Sequence, residues 1–136
     1  LLPNVLAKQK AFDAGAYEAW MVDDDGFVTE GTSTNAWILD RDGRLITRPL
    51  SDNILGGITR QTMLRLAAKN DIEVIERPFT VDEAKAAREA FITSTTNFLT
   101  PITQIDDSVI GNGEPGETSR RMLGLYVAYG RKAAAA

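Results

Sequence analysis

Leu55-Gly56-Gly57-Ile58-Thr59-Arg60 is a glycine pair running into a stretch of helical periodicity. From Ile58 to Asn70, the residues Met63, Leu64, Leu66 and Ala67 fall on one face of a 3.6-residue repeat, which predicts an amphipathic helix with a core-facing side. Upstream, Ala36-Trp37-Ile38-Leu39 and Leu45-Ile46-Thr47 flank Asp40-Arg41-Asp42-Gly43 and read as a hairpin. Downstream, Ile72 to Ile75 reads as a strand, Val81 to Arg88 as a short helix, and Ala90 to Thr93 as an apolar strand. Phe98 to Ile105 continues in extended form, and Asp106 to Gly113 alternates turns with a short apolar pair. A final helix runs from Pro115 to about Lys132, with Met122, Tyr126 and Tyr129 along one stripe. Near the N-terminus, Pro3 suits a first helical turn, Val5, Leu6, Gln9 and Phe12 follow helical spacing, and Gly15 is a stop. Tyr17 to Val22 reads as a strand, ending in the turn Asp23-Asp24-Asp25-Gly26. The order of elements predicts a mixed α/β (α+β) fold, with residues 1–136 as one domain and neither repeats nor linkers.

Composition narrows the chemistry. Of the 136 residues, 43% are hydrophobic, enough for a sizeable core, and the net charge of −4 is spread along the chain. Without a basic stripe, nucleic acid is not an expected partner. The absence of cysteine leaves no disulfide framework and no thiolate metal site, and the absence of histidine removes Ser-His-Asp schemes and most zinc chemistry. Acid–base work falls to Lys, Tyr or carboxylates. No apolar run approaches membrane-spanning length, and with no signal segment the expected location is cytoplasmic.

Three polar stretches carry the candidate site. In the first, Gly56 and Gly57 let the backbone approach a ligand, and the amides of Ile58 and Thr59 fall in a first helical turn, where N–H groups lack intrahelical partners. Such a turn can bind phosphate, with the Thr59 hydroxyl as a further donor; taken alone it reads more readily as a plain helix entry capped by Thr59. In the second, Ser94-Thr95-Thr96-Asn97 follows a buried-looking strand and can aim several donors at one anionic group, or simply connect two strands. In the third, Val28-Thr29-Glu30-Gly31-Thr32-Ser33-Thr34-Asn35, one acid stands among small hydroxyl residues at the end of a short strand. A carboxylate there can pair with a cationic ring nitrogen, as pyridoxal 5'-phosphate chemistry requires, or stand solvated in a turn.

Taken together and in order, these stretches resemble the class IV (fold-type IV) pyridoxal-phosphate-dependent aminotransferases. Val28-Thr29-Glu30-Gly31, Ile54-Leu55-Gly56-Gly57-Ile58-Thr59-Arg60 and Thr93-Ser94-Thr95-Thr96 match in kind and spacing, and the likeness extends from Leu1-Leu2-Pro3-Asn4-Val5-Leu6-Ala7-Lys8-Gln9 to the final helix. Within the family the nearest likeness is to the D-amino-acid transaminase subgroup. The resemblance implies the large C-terminal domain of that fold, a mixed sheet or pseudo-barrel surrounded by helices. It implies that Glu30 binds the pyridine nitrogen and that Leu55 packs against the ring. Gly57, the Ile58 amide and Thr59 would hold the phosphate, helped by Thr95, with Ser33 and Thr96 nearby.

The resemblance also implies a homodimer acting on a small amino acid and a 2-oxo acid. Branched-chain L-amino-acid transaminases and aminodeoxychorismate lyases share the pattern and are alternatives. Two departures stand out. The family's Schiff-base lysine precedes the Leu-Leu pair, a position upstream of Leu1, and none of Lys8, Lys10, Lys69, Lys85 and Lys132 matches it. The expectation is therefore a cofactor-binding piece of a longer enzyme, or, as a reading of another class, a non-catalytic module binding a phosphorylated metabolite. In the other departure, Phe98 follows Asn97 where the subgroup commonly has an acid; it would either reshape the pocket or pack, and packing is the expected role.

Overall fold

A computed structural model of the chain describes residues 20–31, 34–49, 58–94 and 98–135. The N-terminal helix expected over residues 3–15, and Ser33, Leu55, Gly57, Thr95 and Thr96 of the candidate site, lie outside the described residues. The strands are β1 (Trp20–Val22), β2 (Val28–Gly31), β3 (Asn35–Leu39), β4 (Leu45–Thr47), β5 (Val74–Glu76), β6 (Glu89–Ser94), β7 (Phe98–Ile102), β8 (Gln104–Ile105) and β9 (Ser108–Val109). The helices are α1 (Ile58–Lys69), α2 (Val81–Lys85) and α3 (Glu117–Ala135).

Five strands form a mixed sheet in the order β5-β4-β3-β6-β7. Only the β4–β5 pair is parallel, as expected where two strands are joined through a helix, here α1. β1 pairs with β2 and β8 with β9 in two small antiparallel ribbons.

The period-2 alternation of a strand sends β3 and its neighbours into two cores. Ala36, Ile38, Ile46 and Ala90 join Val28, Phe79, Ala84, Ala87 and Ile110 on one face. Trp37, Leu39, Leu45, Phe91 and Leu99 join Met63, Ala67 and Met122 of α1 and α3 on the other. Trp37 and Phe91 stack with ring centroids 5.6 Å apart, and the Trp37 Nε1–H donates to Thr93 Oγ1 at 3.0 Å, so the buried indole leaves no polar atom unmatched.

Several boundaries differ from the sequence reading, each for a local reason. Val81 to Arg88 is helical only to Lys85. Thr80 and Glu83 form a capping box at its start, while Ala86 caps its end and the Arg88 amide donates to the Leu39 carbonyl instead of a helical partner. Ile72 lies in no strand and closes the C-terminal end of α1. Its amide donates to the Ala67 carbonyl across Asp71 in the left-handed conformation, a Schellman closure, and β5 begins at Val74. The extended run from Phe98 breaks at Thr103, and of the apolar pair Val109-Ile110 only Val109 lies in β9, which pairs with β8 as a hairpin.

α3 carries Met122 inward as expected and Tyr126 half-buried, but Tyr129 is 44% exposed; Leu123 and Leu125 complete its packed side. The Asp23–Asp25 turn is more than a run of like charges. Asp23 Oδ1 accepts from the amides of Asp25 and Phe27, and Asp23 Oδ2 pairs with Arg48 at 2.7 Å.

Candidate functional site

The described residues that border the three polar stretches lie at one end of the central strands. β3 begins at Asn35, whose register partner is Thr93, so β3 starts beside the point where β6 ends at Ser94. β7 starts at the same end, with Phe98 opposite Ser94. β4 runs antiparallel to β3 and finishes there too, its Thr47 hydroxyl donating to the Ala36 carbonyl at 2.9 Å. α1 also starts at this end. Thr59, 3% exposed, donates through its hydroxyl to the Ser94 carbonyl at 3.2 Å, tying the first turn of the helix to the last residue of β6.

That bond joins two of the stretches across 35 residues of sequence. Ile58 is the first residue of α1 and Thr59 the second, so their amides lie in the turn without intrahelical acceptors. α1 carries no acidic residue in this turn, whereas α2 begins with Asp82 and Glu83 and α3 with Glu117. The α3 start is further occupied by the buried Glu89 carboxylate, which accepts from the Thr118 amide and from the Ser119 amide and hydroxyl. A helix of 12 residues with an acid-free first turn suits an anion through its amides and its dipole.

Glu30 is the third residue of β2, immediately before Gly31, which pairs with Trp20. Its strand is held in place by the Val28 amide donating to the Phe79 carbonyl and by Thr29 Oγ1 donating to the Met21 carbonyl at 3.3 Å. Phe98 does pack, against Tyr126 with centroids 5.0 Å apart, yet it is 41% exposed. It adopts φ +60°, a left-handed conformation disfavoured for a bulky side chain.

Arg60 was legible in the motif but not in its role. It occupies a position three and seven residues before Met63 and Ala67, on the apolar face of α1, and is 1% exposed. Its Nη2 donates to the Arg48 carbonyl at 2.8 Å and to Glu76 Oε1 at 3.0 Å. The sequence signal was an arginine set at a core-face spacing. Glu89 as the cap of α3 left no such signal, because it acts on a helix thirty residues away in sequence.

A cleft of about 180 Å³ lies on the other face of the sheet from α1, beside the β3–β4 turn, between Asp40, Arg41, Arg77 and Glu83. Its charges are already engaged. Arg77 pairs with Glu83 at 2.8 Å, Asp40 with Arg44 at 3.0 Å, and Arg41 donates to the Ala86 carbonyl. It is remote in the fold from the convergence described above, and the chemistry of the latter is the better match to the sequence motifs. Among the described residues no group of His, Cys, Asp and Glu side chains could hold a metal ion, and no helix is long and apolar enough to cross a membrane.

Residues 1–105 match the amino-transferase class IV family. The chain belongs to the class IV aminotransferases. It is 43% identical over 122 residues to the D-alanine aminotransferase of Bacillus licheniformis, covering 90% of this chain and 42% of that protein. It is 40% identical over 123 residues to the branched-chain-amino-acid aminotransferase of Pseudomonas aeruginosa, covering 90% and 39%. The T.th. branched-chain amino acid aminotransferase with pyridoxamine 5'-phosphate superposes with a TM-score of 0.88 at 36% identity, over 93% of this chain and 41% of that one. This class IV aminotransferase chain thus spans about two fifths of the length of these relatives. The mixed α/β fold expected from its sequence is the fold of the family.

Proposed function

We propose that the chain is the cofactor-holding part of a longer pyridoxal-phosphate-dependent transaminase. The observation that carries this reading is the Thr59–Ser94 hydrogen bond, which ties the first turn of α1 to the last residue of β6. The first turn of α1 fits a phosphate, with amides that lack intrahelical acceptors and no competing acid.

In this proposal the Ile58 amide and Thr59, with Gly57 and Thr95, hold the phosphate. Leu55 packs on the ring, Ser33 and Thr96 lie alongside, and Glu30 pairs with the pyridine nitrogen and keeps it protonated. When bound, pyridoxal phosphate serves as an electron sink for the substrate carbon that loses its proton. Glu30 acts by holding a proton on the ring nitrogen, so that this charge is accepted without a separate donor. The binding residues fix the ring plane relative to the substrate, and burial of the α1 start against β6 limits water on that side.

The lysine that carries the cofactor and moves the substrate proton is proposed to lie upstream of Leu1 in the longer protein. Lys69 and Lys85 are no substitutes for it. Lys69 ends α1, about 16 Å along the helix from Ile58, and Lys85 pairs with Asp106 at 3.4 Å.

The proposed reaction exchanges an amino group between a D-amino acid and a 2-oxo acid, in a homodimeric enzyme. The identity to the Bacillus licheniformis D-alanine aminotransferase supports it. A branched-chain L-amino-acid activity is the second reading, favoured by the likeness to the Pseudomonas aeruginosa and T.th. proteins. The test is the complete enzyme given D-alanine or L-leucine with a 2-oxo acid, with its intact mass taken after borohydride reduction in pyridoxal phosphate. Turnover of D-alanine and a pyridoxyl adduct on a lysine upstream of Leu1 are expected. Turnover of L-leucine alone would replace the D-amino-acid reading, and the absence of any adduct would leave a phosphate-binding module.

A further inference from the structure

Arg60 is a fully buried cation that the proposed chemistry does not use, and a buried guanidinium is retained only with partners. Its partners sit at telling places. The Arg48 carbonyl, 2.8 Å from Nη2, is immediately beyond the end of β4, where the chain departs toward residues 50–57. Arg60 itself is the third residue of α1, where the chain returns. The second acceptor, Glu76 Oε1 at 3.0 Å, is the last residue of β5. One guanidinium terminus therefore ties the start of α1 to the residue that follows β4 and to the last residue of β5. Arg48 is anchored in turn through its own guanidinium to Asp23 in the β1–β2 turn. The neighbouring Thr59 ties the same helical turn to β6.

We propose that Arg60 is a positioning residue: by clasping the Arg48 carbonyl it holds the start of α1 at one place on the sheet, so that the amides of Ile58 and Thr59 face the cofactor phosphate preorganised. The inference rests on the pyridoxal-phosphate reading above. The planar fork of arginine makes the clasp, serving two acceptors from one terminus, which the single ammonium of lysine does less well at fixed geometry. Glu76 is 48% exposed, so it neutralises part of the charge from the solvent side and is not itself the clasp.

The experiment uses the full-length enzyme in five forms: wild type, Arg60→Met, Arg60→Lys, Glu76→Gln and Gly116→Ala. For each, the Kd for pyridoxal phosphate is measured by absorbance titration, with the melting temperature of the cofactor-free protein and kcat at saturating cofactor. Gly116→Ala is the stability control, because an added Cβ there meets the Glu89 side chain at the start of α3, outside the proposed site.

Arg60→Met is expected to raise Kd by about tenfold, the equivalent of one charge-assisted hydrogen bond. Its kcat at saturation should change far less. Arg60→Lys should fall between Arg60→Met and wild type, Glu76→Gln should bind as wild type, and Gly116→Ala should melt lower without losing affinity. Wild-type affinity in Arg60→Met would overturn the proposal, as would equal loss of affinity in Gly116→Ala at the same loss of melting temperature. Should Arg60→Met fail to fold, unchanged Kd in Arg60→Lys overturns it and a raised Kd supports it. A wild type that does not bind pyridoxal phosphate defeats the cofactor reading itself, and is told apart because every variant then behaves alike.

Discussion

The Thr59 hydroxyl has one proton to give, and in this structure it goes to the Ser94 carbonyl. A phosphate at the first turn of α1 would compete for that proton, so the Thr59 hydroxyl either tethers the helix to β6 or donates to the phosphate, and not both at once. Thr59→Val keeps the shape and removes both functions. It is expected to cost about 1 kcal/mol of folding stability and to weaken pyridoxal phosphate binding in the complete enzyme, while Thr59→Ser retains both; melting curves and a cofactor titration check this. Glu30→Lys should abolish turnover in the complete enzyme while leaving its circular dichroism and melting unchanged, since Glu30 lies near the end of a short strand and is proposed to act only on the ring nitrogen. Full activity in that variant would remove Glu30 from the site. Far from the site, Gly116 has no space for a side chain, because an added Cβ would displace the Glu89 carboxylate that caps α3. Gly116→Ala should destabilise by about 1–3 kcal/mol, measured by chemical denaturation.

At the scale of elements, charge and capping decide where helices and turns begin. Arg77 hydrogen-bonded to Glu83 holds the Glu83 carboxyl below its ordinary range, assisted by the Thr80 amide and opposed by partial burial. Arg48 does the same for Asp23, with the Phe27 amide adding to it. Both carboxylates are more acidic in the folded chain than unfolded, so their contributions are complete above the ordinary carboxylate values of 4.5 and 3.8 and are lost as pH falls through the lower folded values. Melting temperature should therefore fall on acidification below about pH 4.5, and Glu83→Gln should flatten part of that fall. Equal pH dependence in wild type and Glu83→Gln would show that the pair contributes nothing.

The same local chemistry explains what the sequence revealed and what it hid. The core face of α1, the β3–β4 hairpin and the apolar strand β6 were legible because hydrophobic period and turn residues agree there. The early end of α2 and the break at Thr103 were not, because Arg88 and Thr103 hydrogen-bond to Leu39 and Ile110 outside the local pattern, and the role of Ile72 was not, because it turns on the left-handed Asp71 that lets its amide reach Ala67. Of the site, the first-turn position of Ile58 and Thr59 was readable from the Gly-Gly-Ile-Thr run. The clasp by Arg60 was not, since its partners are a main-chain carbonyl and an acid 16 residues away.

Across the whole molecule, the sheet buries both faces, so its edges and loop ends are what remain for chemistry. The N-terminal start of β3, the ends of β4 and β6 and the start of α1 gather at one such end, and the sequence motifs of the family lie on those connections. Phe98, Tyr126 and Tyr129 form a partly exposed aromatic row leading from that end along α3. The most direct measurement of the convergence is the position of the phosphate in a crystal structure of the complete enzyme with pyridoxal phosphate bound. The expected result is phosphate oxygens about 3 Å from the amide nitrogens of Ile58 and Thr59, with the Ser94–Thr95 turn against them. Phosphate bound elsewhere, with the first turn of α1 left to solvent, would contradict it.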